Sequence, residues 1–316
     1  MSGKHLGPVV RPADMAAIAD AARRLIVGEP VALPTETVYG LAARADLPGA
    51  VAAIYAAKGR PSFNPLIVHV ADLAQAETLA VFDERARLLA AKFWPGALTM
   101  VLPLKAGARI APAVTAGLPT IALRCPAHPV MRAVLGTTGL PLAAPSANAS
   151  GAVSPTTAAH VAESLAGQIE LVLDGGPCGT GLESTIVALR PDDCWQLLRP
   201  GPITAQQIAV ALGTLADAVT SELIEAPGQL ASHYAPGKPM QLNVFGMDDD
   251  EFLIGFGSVN GHINLSRSGD LAEAAARLYE CLHIAAAAPQ SRIAIAPVPG
   301  IGIGAAINDR LRRAAA

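Results

Sequence analysis

Apolar positions at Met15, Ile18, Ala22, Leu25 and Ile26 follow the spacing of an amphipathic helix, with Pro12 placed at its first turn and Gly28 able to close it. The run from Pro30 to Leu33 is apolar and stopped by Pro34, as in a short buried strand. Helical spacing returns over residues 48–57, ending before Gly59, and again over 72–79 and 83–92. Strand-like runs cover 66–70, 98–102, 120–124, 142–144, 170–173, 184–189 and 196–198, and helical patterns fill 128–135, 156–165 and 204–212. Several strands are separated only by short turns. The pattern therefore predicts an α/β domain with a twisted mixed sheet, not a regular parallel alternation.

Residues 215–239 carry Pro227-Gly228 and Pro236-Gly237 and keep no sustained period. Such a segment is far longer than the ~2–6 residues usual between elements, so it reads as an interdomain or functional linker. Beyond it, strands near 240–245, 252–256, 262–265 and 292–295 and helices over 271–286 and 305–313 outline a small Rossmann-like α/β unit. The expected division is a domain over 1–214, a linker over 215–239 and a small domain over 240–316.

Composition narrows the class. Hydrophobic residues make up 52 % but aromatics only 4 %, and much of the remainder is Ala, which suits small-residue packing. No apolar stretch approaches the ~18–20 residues of a spanning helix, so no membrane role is expected. Residues 1–12 lack the apolar core of a secretory signal. Cysteines stand singly at 125, 178, 194 and 281 without a CxxC pair, which argues against zinc and redox motifs and fits a reducing, cytoplasmic setting. A net charge of −3 argues against a protein that mainly coats nucleic acid, but leaves room for a local basic patch.

No Walker loop, HExxH or GxSxG is present. Gly300-Ile301-Gly302-Ile303-Gly304 lacks the dinucleotide spacing and reads more simply as a glycine-rich helix entry. Polar residues at the ends of apolar strands are more informative, since ligands gather there. Thr35-Glu36-Thr37 follows the buried strand, as a helix cap or as site residues. Lys58 and Arg60 end a helix in a loop stiffened by Pro61 and Pro65, as dipole partners or as a rigid phosphate clamp. Arg124 shares a strand face with Thr120 and Ala122, and there must be paired or face a cavity. Ala144 to Gly151 is a turn of small polar residues, and Ser154-Pro155 then opens a helix. Glu183-Ser184 and Arg199-Pro200-Gly201 place further polar groups at strand ends.

In order and spacing, PTETVYGL (34–41), KGRPSFNPLIVH (58–69), WPGALT (94–99), RCPAHP (124–129), APSANASG (144–151), LDGG (173–176), ESTI (183–186) and LRPGPIT (198–204) resemble the L-threonylcarbamoyl-AMP synthase family. PGQLASHYAPGKP (227–239) and GIGAAINDRLRRAA (302–315) resemble its long form, a YrdC-like domain followed by a small C-terminal domain. The resemblance implies that L-threonine, bicarbonate and ATP give threonylcarbamoyl-AMP and pyrophosphate, with Mg²⁺ carried on the ATP phosphates and no protein metal ligand assigned. It also implies a downstream tRNA-modifying transferase, and a weak RNA contact stays open.

By position, Thr35, His69, Arg124, Ala144 and Ser184 are expected to hold threonine. Lys58, Ser62, Thr120, Ser146, Ser154, Arg199 and Tyr234 are expected to contact ATP, and Lys58, Arg60, Ser146 and Asn148 form the paired catalytic signature. Tyr234 is expected to fold the linker over the site. Leu230-Ala231-Ser232 departs from the residues some long-form members carry just before His233-Tyr234. An RNA-binding module and a carbamoyl-handling enzyme with another substrate are the competing readings.

Overall fold

The structure, a computed structural model, describes residues 7–191, 193–218, 224–229, 232–246 and 248–316. Parts of the expected linker, including Leu230 and Ala231, lie outside the described residues, as do residues 1–6. Among the described residues no helix is long and apolar enough to cross a membrane.

Ten strands form the larger sheet: β1 (Val9–Pro12), β2 (Val31–Leu33), β3 (Gly40–Arg44), β4 (Ile67–His69), β5 (Leu98–Pro103), β6 (Thr120–Arg124), β7 (Leu142–Ala143), β8 (Leu171–Asp174), β9 (Thr185–Leu189) and β10 (Trp195–Arg199). Their spatial order is β1-β8-β2-β3-β7-β4-β6-β5-β9-β10. Parallel pairs such as β4–β6 and β5–β9 alternate with antiparallel ones such as β2–β3 and β9–β10, so the expected mixed sheet is found. Helices α1 (Met15–Val27), α2 (Pro48–Lys58), α3 (Leu73–Leu79), α4 (Glu84–Phe93), α5 (Pro112–Thr115), α6 (Pro129–Thr138), α7 (Ala158–Ser164) and α8 (Ala205–Leu212) surround it.

Helix ends follow local chemistry. Asp14, Asp72, Asp83, Thr157 and Thr204 accept backbone N–H groups at helix starts, and α8 has a full capping box with Gln207. Pro12 is not in a helical first turn. It ends β1, and Asp14 caps α1 instead.

One sheet face carries the main core, with Leu41, Ile54, Val68, Leu98, Leu123 and Trp195 fully or almost fully buried. On the opposite face α1 and α6 cover one end through Leu25, Leu33, Met131 and Leu135. Beyond them that face keeps a small apolar patch of Ile67, Ala122 and Leu198, covered in part by Ala226 of the linker.

A second, wholly parallel sheet comprises β11 (Met240–Leu242), β12 (Glu251–Gly255), β13 (Ile263–Asn264) and β14 (Arg292–Ile295) in the order β11-β14-β12-β13. Helices α9 (Leu271–Ala287) and α10 (Gly304–Ala314) pack on it, and the 300–304 glycine run leads into α10. Its core, including Ile254, Leu278, Leu282 and Ile307, is continuous with Val38, Val153, Leu182 and Tyr234. The two units thus share buried apolar surface, the strongest driving force available for holding them together.

Candidate active site

The cavity lies on the sheet face that α1 and α6 leave open. Side chains alternate along β4 and β6, so Val68 and Leu123 enter the main core while Ile67, His69, Ala122 and Arg124 turn to the other side. Parallel register sets His69 beside Arg124. A bridge between Gly40 and Ser146, with Ala147 N donating to Tyr39 O at 2.8 Å, brings the 34–39 turn against the 144–150 turn. Thr35, His69, Arg124, Ala144, Ser146, Ser184, Arg199 and Tyr234 all line the resulting cavity, together with Arg60.

Arg124 is buried and already has a carboxylate partner. Its Nη2 donates to Glu36 Oε1 at 2.7 Å, Nη1 to Thr37 Oγ1 at 2.9 Å and Nε to Gly96 O at 3.2 Å. A guanidinium has five N–H donors, so this leaves two for a ligand. Thr37 Oγ1 lies 2.8 Å from Thr35 Oγ1, which donates to Val38 O at 2.6 Å and accepts from the Thr37 and Val38 N–H groups. Neither threonine caps a helix; together they fix a turn. Burial works to raise the Glu36 carboxyl, but the charge and hydrogen bond of Arg124 outweigh it and hold the pKa below the ordinary value.

Three other cations at this end of the protein are buried against neutral acceptors. Lys58 Nζ donates to Ser146 O at 2.5 Å and also to Asn148 O, bracing the small-residue turn. Arg60 donates to Asn64 O and to Pro65 O, the latter at 3.1 Å, within the loop stiffened by Pro61 and Pro65. Arg199 donates through Nε to Ser184 O at 3.0 Å, through Nη2 to Ser184 Oγ at 3.1 Å and through Nη1 to Pro227 O at 3.2 Å. Burial pushes the Lys58 ammonium well down, with the Arg60 charge adding to it, and burial lowers the Arg60 guanidinium to about 10. Positive charge held this way, without carboxylates, favours an anionic ligand.

The chain reaches the cavity again after α8. Asp217 bridges to Gln196 of β10, and Glu225 takes Arg190 bidentately at 2.5 and 2.9 Å. Gly228 then passes over Arg199 with φ 87°, where a Cβ would lie 2.8 Å from Arg199 Cδ, so only glycine fits. Tyr234 enters the cavity wall fully buried, stacked on Tyr279 at 5.6 Å and beneath the Arg310 guanidinium at 5.6 Å. Ala235 N donates to Gly151 O at 2.8 Å, tying this segment to the 144–151 turn.

Other expected residues lie outside the lining. Lys58 and Asn148 stand behind the Ser146 turn, and Asn148 Nδ2 donates to Ala149 O and Ala152 O. Ser62 is exposed in its loop. Thr120 opens β6, on the face of Arg124 but about 13 Å away along the strand. Ser154 opens no helix, since α7 starts at Ala158 under a Thr157 cap; its Oγ donates instead to Glu183 Oε1 at 2.6 Å.

Glu36, Thr37, Glu183 and Arg310 lie within motifs read from the sequence but have no individual role assigned there, and Tyr279 lies outside those motifs. Glu36 and Glu183 each stand beside a selected residue, and an acid inside a buried motif is itself a signal that it must be paired. Tyr279 and Arg310 give no such signal, because only the packing of the second unit brings them here.

Acid should destabilise the fold through this region. Burial holds the imidazoles of His69 at about 3 and of His160 and His233 at about 4, below the ordinary 6.5. Their folded pKa values are depressed, so on acidification the unfolded chain binds protons first. Stability is complete well above pH 6.5 and falls below it, by at most roughly 1.4 kcal/mol per pH unit each for His69 and His233 and by less for the partly exposed His160. Calorimetric Tm should therefore hold steady from pH 8 to 7 and drop progressively from 6.5 to 5; a flat Tm down to pH 5 contradicts this.

Among the described residues no group of three or more His, Cys, Asp or Glu side chains could hold a metal ion. Among the described residues, the cavity-lining Glu183 is engaged by Arg310, and Glu36, just outside the lining, by Arg124. The residues present therefore do not make a protein metal cage.

The Sua5/YciO/YrdC family model, described as telomere recombination, matches residues 24–201, and the threonylcarbamoyl-AMP synthase C-terminal domain model matches residues 203–316. The chain is 43 % identical to the threonylcarbamoyl-AMP synthase of Bacillus subtilis (strain 168), across 94 % of this chain and 92 % of that one. It is 46 % identical to the threonylcarbamoyl-AMP synthase of Pyrococcus abyssi, across 66 % of this chain and 62 % of that one. The crystal structure of P. abyssi Sua5 complexed with L-threonine superposes with a TM-score of 0.88 at 36 % identity, covering 98 % of this chain and 97 % of that one. With family models spanning both sheets and a relative aligned over nearly the whole length, the chain belongs to the threonylcarbamoyl-AMP synthase family, in the form that carries the C-terminal domain.

Proposed function

We propose that the protein is an L-threonylcarbamoyladenylate synthase. The ammonium of L-threonine gives up one proton, and the free amine attacks the carbon of bicarbonate, so that water leaves and a carbamate forms. A carbamate oxygen then attacks the α-phosphorus of ATP, and pyrophosphate leaves. The observation that carries this reading is one cavity lined by Arg124, paired with Glu36, and by Arg60 and Arg199, whose hydrogen bonds go to neutral acceptors. Arg124 suits a carboxylate bound through a fork, and Arg60 and Arg199 suit a polyphosphate.

In this reading Arg124, with Thr35, His69, Ala144 and Ser184, holds threonine. Arg60, Ser146, Arg199 and Tyr234 face the nucleotide, while Lys58 and Asn148 hold the Ser146 turn in place. Ser62, Thr120 and Ser154 become nucleotide contacts only if the ligand extends past the cavity lining. Mg²⁺ arrives bound to the ATP phosphates, and the chain itself binds, orients and neutralises. Such chemistry needs positioning and charge more than a covalent nucleophile.

Residues 1–214 act as the catalytic domain, 215–239 as the linker covering the site and 240–316 as the small domain. The product passes in the cytoplasm to a tRNA-modifying transferase, for threonylcarbamoylation of the adenosine next to the anticodon. Pyrophosphate release should require ATP, L-threonine and bicarbonate together. Release that persists without threonine would refute the assignment, and binding of RNA with no threonine-dependent ATP consumption would favour a nucleic-acid module instead.

A further inference from the structure

We propose that Arg310, on the last helix of the C-terminal unit, is a positioning residue for the nucleotide side of the cavity, acting through Glu183 and Tyr234. The inference rests on the nucleotide reading given above. It gives the second domain a part in the active site that no cavity-lining residue of its own supplies.

The loop over residues 181–184 is where the two units meet. Gly181 has φ 72°, and a Cβ there would lie 2.5 Å from backbone atoms of Ala275 and Ala276, so this loop is pressed directly onto α9. Two residues on, Glu183 is buried and lines the cavity. Its Oε2 accepts from Arg310 Nε at 2.8 Å and from Tyr279 Oη at 2.7 Å, both from the second unit, while Oε1 accepts from Ser154 at 2.6 Å. Ser184, the next residue, lines the cavity and takes two hydrogen bonds from Arg199.

Arg310 itself is fully buried and is oriented from its other side by Asp309 at 2.7 Å. Its Nη2 has no hydrogen-bond partner, and the guanidinium stands over the Tyr234 ring. A single side chain thus does two things at the cavity wall. It neutralises a carboxylate that faces the ligand, and it presses on the linker aromatic that closes the wall. Without it, Glu183 would keep only the Arg199 charge as compensation beside the triphosphate, and Tyr234 would lose one of its two flat supports. Both consequences fall on the nucleotide. Threonine keeps its carboxylate contact at Arg124, whose hydrogen bonds to Glu36, Thr37 and Gly96 do not involve Glu183, so a shift felt only through neighbouring Ser184 should cost it little.

The test is direct calorimetric titration of the full chain with ATP and Mg²⁺ and, separately, with L-threonine. Arg310→Met should raise the Kd for ATP about 30-fold and that for threonine less than threefold. Arg310→Lys, which keeps charge but not the fork, should raise the ATP Kd about fivefold. Adding Glu183→Gln to Arg310→Met removes the unpaired charge and should recover about tenfold in ATP affinity, which a merely structural role would not give. An ATP Kd within threefold of the parent in Arg310→Met overturns the proposal, as does equal weakening of both ligands or a double variant no better than the single. If Arg310→Met does not fold, Arg310→Lys decides by the same contrast between ATP and threonine. Because binding is read directly, a chain that binds ATP but releases no threonine-dependent pyrophosphate refutes the synthase reading and leaves this inference standing.

Discussion

Arg124→Ala is expected to lose threonine-dependent pyrophosphate release by 30- to 1,000-fold while ATP binding stays within about threefold, the range set by a lost charged hydrogen bond worth ~2–4 kcal/mol. Arg124 sits where the chain can hold a guanidinium rigidly: at the end of β6, beside His69, with Glu36, Thr37 and Gly96 fixing three of its donors. The remaining donors are pre-aimed, so little ordering entropy is spent when a carboxylate arrives. Removing the side chain also strands Glu36, whose other oxygen accepts from the Ala127 and His128 N–H groups. Arg124→Lys separates the two effects. It keeps a positive charge near Glu36 but offers no fork, so it should fold normally and still weaken threonine at least tenfold. Initial rates against threonine concentration decide the matter, and near-normal turnover at ordinary threonine levels contradicts the assignment.

Arg60→Met should show the opposite selectivity. We expect kcat/KM for ATP to fall about 100-fold while the threonine Kd is unchanged, consistent with loss of one preorganised cationic contact to a phosphate. Arg60 follows the Gly59 cap of α2, and its Nε and Nη2 are pinned to the carbonyls of Asn64 and Pro65. Its burial without a carboxylate is costly in the free protein, a cost that an anionic ligand offsets. Arg60→Lys should restore only part of the loss. An unchanged kcat/KM for ATP would remove Arg60 from the nucleotide side.

Much of this fold can be read along the chain, because its elements carry their own punctuation. Gly28 and Gly59 close α1 and α2 in the left-handed conformation, and Asp72 and Asp83 start α3 and α4. What escapes are elements with little local signal. β3, Gly40-Leu41-Ala42-Ala43-Arg44, has weak strand propensity and becomes a strand only because β2 and β7 pair with it on either side. β1 pairs with β8 at the sheet edge, so its exposed Val9 and Val10 show no buried face, and Pro12 reads as a helix start.

The site divides in the same way. Alternation along β6 correctly predicts that Arg124 leaves the apolar core. Its internal partner is a long-range matter, 88 residues away in Glu36. Lys58 reads as a phosphate contact from its loop, yet in the fold it ties down the carbonyls of Ser146 and Asn148. The Glu183–Tyr279–Arg310 cluster spans 96 and 127 residues of chain, and no spacing rule reaches that far.

The most direct test of the central claim is the fate of the bicarbonate carbon. The full-length protein is incubated with ATP, Mg²⁺, L-threonine and [¹³C]bicarbonate, and the nucleotide products are resolved by mass spectrometry. The account predicts one new adenylate containing threonine and a single ¹³C, formed in step with pyrophosphate. An adenylate of threonine without the labelled carbon, or pyrophosphate release with no threonine-containing adenylate, would contradict it.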